Sequence, residues 1–160
     1  MSRPMTKEGV QSIQEEIDHL WKVERPEIVR QVSAAADLGD RSENAAYIYG
    51  KRRLREIDSR MRYLRRKLEN VTIIDVATLP NHADIRFGAV VTVVTDDEQK
   101  HVWRLVDKEE SNPGACRISV QSPVGRALLG KQVGDWVEVR LPRGRVGYEV
   151  TAIRYGGGEP

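Results

Sequence analysis

At 160 residues the chain is long enough for one ordinary domain, or for a small domain plus an extended helical element. Its hydrophobic share of 39% is low and its charged share of 31% is high for a single thick globule, which points to long solvated helices. No apolar run resembles a signal peptide or approaches the roughly 20 residues of a membrane span, so a soluble, cytoplasmic protein with no membrane partner is expected.

The first predicted element is a helix from Thr6 to about Leu38. Val10, Ile13, Ile17 and Leu20 are spaced 3-4-3, as in a coiled-coil seam, and the pattern then slips by one position through Trp21, Ile28, Val32 and Ala35. The slip brackets Pro26, which lacks an amide proton and crowds the carbonyl four residues back, so a kink or local irregularity is expected there. Trp21 is expected to pack at the slip.

A second helix is predicted from Ser42 or Glu43 to about Asn70. Its seam of Tyr47, Gly50, Leu54, Ile57, Met61, Leu64, Leu68 and Val71 alternates steps of three and four without a miss. The short connection makes the two helices antiparallel, and about 30 residues at roughly 1.5 Å each give an arm about 45 Å long. Charge is distributed unevenly. Between Lys51 and Asn70 nine basic residues face three acidic ones, a net of +6, against +2 for the whole chain. The first helix nets −3 and neutralises only part of this.

After Val71 the period changes to two. Strands are expected near Val71–Val76, Gly88–Val94, His101–Val106, Cys116–Val120, Trp136–Leu141 and Tyr148–Tyr155, with polar turns at 95–98 and 142–144. One short helix interrupts them: Ser122 is placed to cap it, Pro123 to occupy its first position and Gly130 to end it. The fold class is therefore α+β, with an arm over residues 1–70 and an antiparallel sheet domain with one short helix over 71–160. Residues 156–160 read as a frayed tail. The single cysteine, Cys116, excludes an intrachain disulfide, and His19, His82 and His101 show no metal-ligand spacing, so no intrinsic cofactor is expected.

The break at 38–44, Leu-Gly-Asp-Arg-Ser-Glu-Asn, becomes the tip of the hairpin. Gly39 suits the end of the first helix, and Asp40 and Glu43 match capping-box spacing at the start of the second. A cap needs no projecting arm to carry it, whereas a probe entering a deep channel does. Two carboxylates on one short loop also suit a Mg²⁺ ion whose other ligands come from a partner.

Asp40-Arg41-Ser42-Glu43-Asn44-Ala45 resembles the tip signature of the bacterial Gre transcript-cleavage factors, in which an Asp and a Glu flank a Ser. The stretch from Trp21 to Asn70, including Glu24-Arg25-Pro26-Glu27 and Lys51-Arg52-Arg53-Leu54-Arg55-Glu56-Ile57-Asp58, is similar to the GreB branch, and the similarity resumes over residues 122–131. The resemblance implies a transcription elongation factor, itself not an enzyme, whose FKBP-like sheet domain docks on RNA polymerase while the coiled coil enters the secondary channel. There Asp40 and Glu43 would help hold a shared Mg²⁺, with Ser42 between them, so that the polymerase cleaves the nascent RNA 3′ end and backtracked complexes are rescued.

By the same resemblance Lys51, Arg52, Arg53 and Arg55 form a basic patch for the extruded RNA, and Ser122 and Pro123 form a polymerase-binding loop. Gln121 departs from the acid expected before that Ser-Pro. The factor is expected to act as a monomer. The alternative is a channel-occupying regulator that does not stimulate cleavage, and for this the tip would have to be altered. A prolyl isomerase is disfavoured by the single Phe87 and the aromatic content of 6%, too low for an aromatic-lined pocket.

Overall fold

The computed structural model describes residues 2–160. They form an α+β protein of two compact units, Val10–Val71 and Ser2–Gly9 together with Thr72–Pro160. The elements in order are β1 (Arg3–Thr6), α1 (Lys7–His19), a π-helical turn (Leu20–Glu24), α2 (Arg25–Ala36), α3 (Ala45–Lys67), β2 (Val71–Ile74), β3 (Val90–Thr95), β4 (Lys100–Val106), β5 (Arg117–Ser119), α4 (Pro123–Leu128), β6 (Trp136–Leu141) and β7 (Gly144–Arg154).

In the helical unit α2 runs antiparallel to α3. The contacts fix the direction, because Glu16, Glu24 and Val32 meet Arg60, Arg53 and Gly50 in turn. Ile57 and Leu64 have no exposed surface and Met61 is buried, while Val32 fills the space that a Cβ on Gly50 would need. The first helix is one continuous element, and the slip in its seam takes physical form as the π turn just before Pro26. Buried Ile13, Leu20, Ile28 and Ala35 follow at steps of seven, eight and seven, so the π turn takes up the extra residue. Glu24, between Leu20 and Ile28, occupies the seam there. Trp21 instead points outward, 54% exposed under the Arg25 guanidinium, because the widened turn carries the seam through Leu20 and Glu24.

The expectation that residues 1–70 belong to the arm fails at its start. β1 pairs with β2 in a two-stranded sheet. Its Thr6 amide donates to Glu110 Oε2 at 3.1 Å, and Arg3 approaches the buried Asp107 carboxylate at 3.6 Å. The main sheet has the order β5-β4-β3-β7-β6. It is mixed rather than wholly antiparallel, since β5 joins β4 in parallel through Arg104↔Arg117 to Val106↔Ser119. Val91, Val93, Leu105, Val139 and Val150 form its core with Leu128 from α4.

Residues 156–159 are not a frayed tail. Buried Arg104 donates to the carbonyls of Gly156 and Gly158 at 3.0 and 2.8 Å, and Arg154 to those of Gly157 and Glu159 at 2.8 and 3.1 Å. Burial, with Arg154 and Arg117 nearby, lowers the pKa of Arg104 below its ordinary value, so these carbonyls are what its charge has in place of a carboxylate.

Candidate functional site

The hairpin tip spans 37–44, between the end of α2 and the start of α3. Asn44, rather than Asp40 or Ser42, is the N-cap of α3: its Oδ1 accepts from the Tyr47 amide at 3.2 Å, while its Nδ2 donates to the Ala35 carbonyl at 2.7 Å. One side chain thus starts α3 and ties the loop back to α2. The capping-box reading of Asp40 and Glu43 is overturned, because the helix begins at Ala45 and both acids lie before its cap. The signal was present in the sequence, since Asn directly before Ala45 is as good a cap as Asp.

Freed from capping, the two acids differ. Asp40 Oδ1 accepts from both the Ser42 amide at 2.9 Å and the Ser42 hydroxyl at 2.7 Å, an Asx turn that fixes one carboxylate oxygen. These bonds, the hydroxyl's foremost, hold the Asp40 carboxyl below the usual carboxylate range. Glu43 is exposed and makes no hydrogen bond or ion pair among the described residues. The structure joins Asp40 to Ser42 and leaves Glu43 beside them on the same loop. Arg41 lies over the Tyr47 ring at 5.5 Å, which gives that half-buried tyrosine a cation–π partner besides its place in the seam.

The donor set suits a hard divalent cation. Asp40 keeps a second oxygen outside its Asx turn, and Glu43 keeps both. Two carboxylates are the usual protein share of a Mg²⁺ site completed by water and substrate oxygens. No group of three His, Cys, Asp or Glu side chains able to hold a metal occurs among the described residues, so other ligands would have to come from elsewhere.

The basic residues of α3 divide in two. Lys51, Arg52 and Arg55 are exposed. Arg53 is engaged: its Nε donates to Glu24 Oε1 at 2.7 Å, with a second bond from the same guanidinium to that oxygen, and its Nη1 reaches Glu56 at 3.2 Å. The bonds to Glu24 and then Glu56 raise the pKa of Arg53 above its ordinary value. Arg53 is thus already paired with the seam acid Glu24, unlike its exposed neighbours.

Arg52 and Arg55 continue into a shallow groove of about 680 Å³ with Glu56, Ser59, Arg60, Tyr63 and Arg66. These lie three or four apart on one helix face, a spacing visible in the sequence but obscured by counting charge without phase. Within the groove Arg60 is held by Glu16 at 2.7 and 3.1 Å. Exposed Tyr49, one turn before Arg52 and Arg53, also belongs to this part of the helix.

In the sheet domain Ser122 caps α4, its hydroxyl accepting from the Gly125 amide at 3.0 Å and donating to the Ser119 carbonyl at 2.6 Å. Pro123 is exposed at the first turn, as is Gln121 before it. Gly125 permits the contact, since a Cβ there would collide with the Ser119 carbonyl oxygen. No helix among the described residues is long and apolar enough to cross a membrane.

Two family patterns match the chain: "Transcription elongation factor, N-terminal" over residues 3–73 and "Transcription elongation factor, GreA/GreB, C-term" over residues 80–155. The chain is 47% identical over 154 residues to transcription elongation factor GreB of Yersinia pestis, covering 96% of this chain and 90% of that one. It is 40% identical over 154 residues to transcription elongation factor GreA of Rhodospirillum rubrum, covering 96% and 98%. Among solved structures, Gfh1 of Thermus aquaticus aligns at 24% identity with a TM-score of 0.43, over 98% of this chain and 99% of that one.

Proposed function

The chain belongs to the GreA/GreB family of transcription elongation factors, which act on RNA polymerase. From that premise we propose that it works in the cytoplasm as a GreB-type factor, entering the polymerase secondary channel tip first and stimulating cleavage of the nascent RNA 3′ end. The observation that carries this reading is the state of the tip acids. Asp40 is ionised and oriented by Ser42, and Glu43 is unengaged, on an exposed loop that Asn44 anchors at both ends.

The chain's own residues bind and orient. Ser42 spends its amide and hydroxyl on one oxygen of Asp40, so the other is presented as a charged acceptor in a limited set of directions. Glu43 adds a second carboxylate one residue beyond Ser42. Asp40 and Glu43 would hold a Mg²⁺ ion shared with the polymerase, which would supply Lewis acidity for the cleavage. The polymerase remains the enzyme, and this protein contributes charge and position without a covalent step of its own.

Lys51, Arg52 and Arg55 attract the phosphates of the extruded RNA, an interaction that weakens as salt rises. Pro123 and the ordered turn before α4 provide a rigid docking element, with the Ser122 hydroxyl spent inside that turn. The factor acts as a monomer.

The test is RNA cleavage in stalled, backtracked polymerase complexes. Wild type should stimulate cleavage, whereas Asp40→Asn and Glu43→Gln should bind and fail, losing on the order of 100-fold in rate. Variants that cleave as wild type does would remove the tip mechanism. A wild type that binds but never stimulates cleavage would make the protein a non-cleaving regulator.

A further inference from the structure

At the end of the main sheet where the β3–β4 and β6–β7 hairpins turn, a cavity of about 500 Å³ opens. Strand register makes its wall aromatic. On β4, His101 opposes Val93 and Trp103 opposes Val91; on β7, Tyr148 opposes Thr95 and Val137. Alternation along each strand therefore brings the three rings to one face. His101 and Trp103 stack at 4.9 Å with their planes 10° apart, and Tyr148 meets Trp103 edge-on at 5.8 Å. An aromatic content too low to predict such a pocket is concentrated into one by the fold.

Tyr148 is only 6% exposed, yet its hydroxyl has no hydrogen-bond partner among the described residues. The hydroxyl is not a buried orphan, so it keeps access to solvent and is open to a ligand. The rim is bipolar: Asp96 and Asp97 come from the β3–β4 turn, Arg143 and Arg145 from the β6–β7 hairpin. Asp97 is engaged by the Thr95 hydroxyl and Arg145 by Glu138 at 3.2 Å. Asp96 and Arg143 have no hydrogen bond or ion pair among the described residues.

We propose that this cavity binds a guanine nucleotide, with the base against the His101–Trp103 stack, its N–H edge toward Asp96, its phosphate toward Arg143, and the Tyr148 hydroxyl bonded to the ligand. Flat ring plates favour a planar partner, and a carboxylate accepts from paired N–H groups. A lipid or simple apolar molecule would leave both rim charges unpaired, and a bare anion would face Asp96. The volume lies within the range of small-molecule sites, about 300–1,000 Å³. The inference concerns the sheet domain alone and stands apart from the reading of the tip.

The test is a titration of the full-length protein with GMP, followed by NMR of amide and indole N–H groups. The Trp103 indole and the amides of Arg143 and Tyr148 should shift saturably. Arg143→Ala should weaken binding about tenfold, as expected for losing a charge-assisted phosphate contact. Tyr148→Phe, which keeps the ring, should weaken it about threefold. Guanosine should bind less tightly than GMP and be indifferent to Arg143→Ala. No saturable shift at millimolar GMP would overturn the proposal, as would shifts confined to Lys51–Arg66 or equal affinity in both variants. A proline-containing peptide that saturates the same resonances where GMP does not would likewise overturn it.

Discussion

The helical hairpin and the sheet domain put their polar chemistry in opposite places. On the hairpin the working groups are surface side chains on a loop and a helix face, and those that are fixed are held by one or two short-range bonds: Ser42 to Asp40, Asn44 to Tyr47 and Ala35. In the sheet domain two polar groups, Tyr148 and Arg104, lie buried behind an exposed rim. Tyr148 and Arg104 depend on strands far apart in sequence for their surroundings. The hairpin presents charge to water with little burial, and the sheet domain withdraws groups from water until a partner is required. Damage should therefore act on the two in different ways.

The largest structural effect should come from the seams. Leu64→Ala in the hairpin and Leu128→Ala in the sheet domain each empty a side chain with no exposed surface, at a cost of about 2–5 kcal/mol. Hydrogen exchange read region by region shows whether each loss falls on its own unit, and a uniform loss from either variant would break the contrast. Asn44→Ala removes a cap and the tie to Ala35 together, for about 1–2 kcal/mol. It should also loosen the tip acids, so that cleavage stimulation falls more than unfolding temperature does.

Smaller still is the difference within the basic helix. Lys51→Ala and Arg52→Ala should weaken crosslinking of the RNA end and flatten its salt dependence. Arg53→Ala should instead leave Glu24 unpaired in the seam and cost stability, about 1 kcal/mol. Equal RNA effects from all three would return Arg53 to the patch.

The smallest effect tests the tip itself. The folded pKa of Asp40 is depressed, so its bonds to Ser42 contribute stability above the unfolded carboxylate pKa, and that contribution is lost as pH falls through the lower folded value. Ser42→Ala should raise the Asp40 pKa toward its ordinary value in an NMR titration and narrow that window. An unchanged titration would remove Ser42 as the orienting group.

The same contrast governs what could be read in advance. The α3 seam, the β6 strand and the Ser122 cap were legible because their causes are local: periodicity, alternation, and a hydroxyl three residues before the amide that it accepts. β1 was not, because Arg3-Pro4-Met5-Thr6 has no alternation to mark it and its partner strand begins at Val71. Nor was the tail, whose anchor Arg104 lies more than fifty residues earlier. At the tip the residue types were right and the roles misplaced. Asp40, Glu43 and Asn44 all suit a helix start, and only the backbone decides which of them caps. The Tyr148 cavity needed register across four strands, which no single segment encodes.

The π turn at Leu20–Glu24 sets the rotational phase of the first helix. An α-helix advances about 100° per residue, so the same residues wound as a plain α-helix, with no π turn to absorb the extra one, would leave everything beyond turned by that angle. Ile28 and Ala35 would swing away from α3, and Asn44 would lose the Ala35 carbonyl that anchors the loop. The aim of the Asp40 and Glu43 carboxylates is thus decided some twenty residues before them, by a single extra residue whose only visible mark in the sequence is a broken period beside a proline.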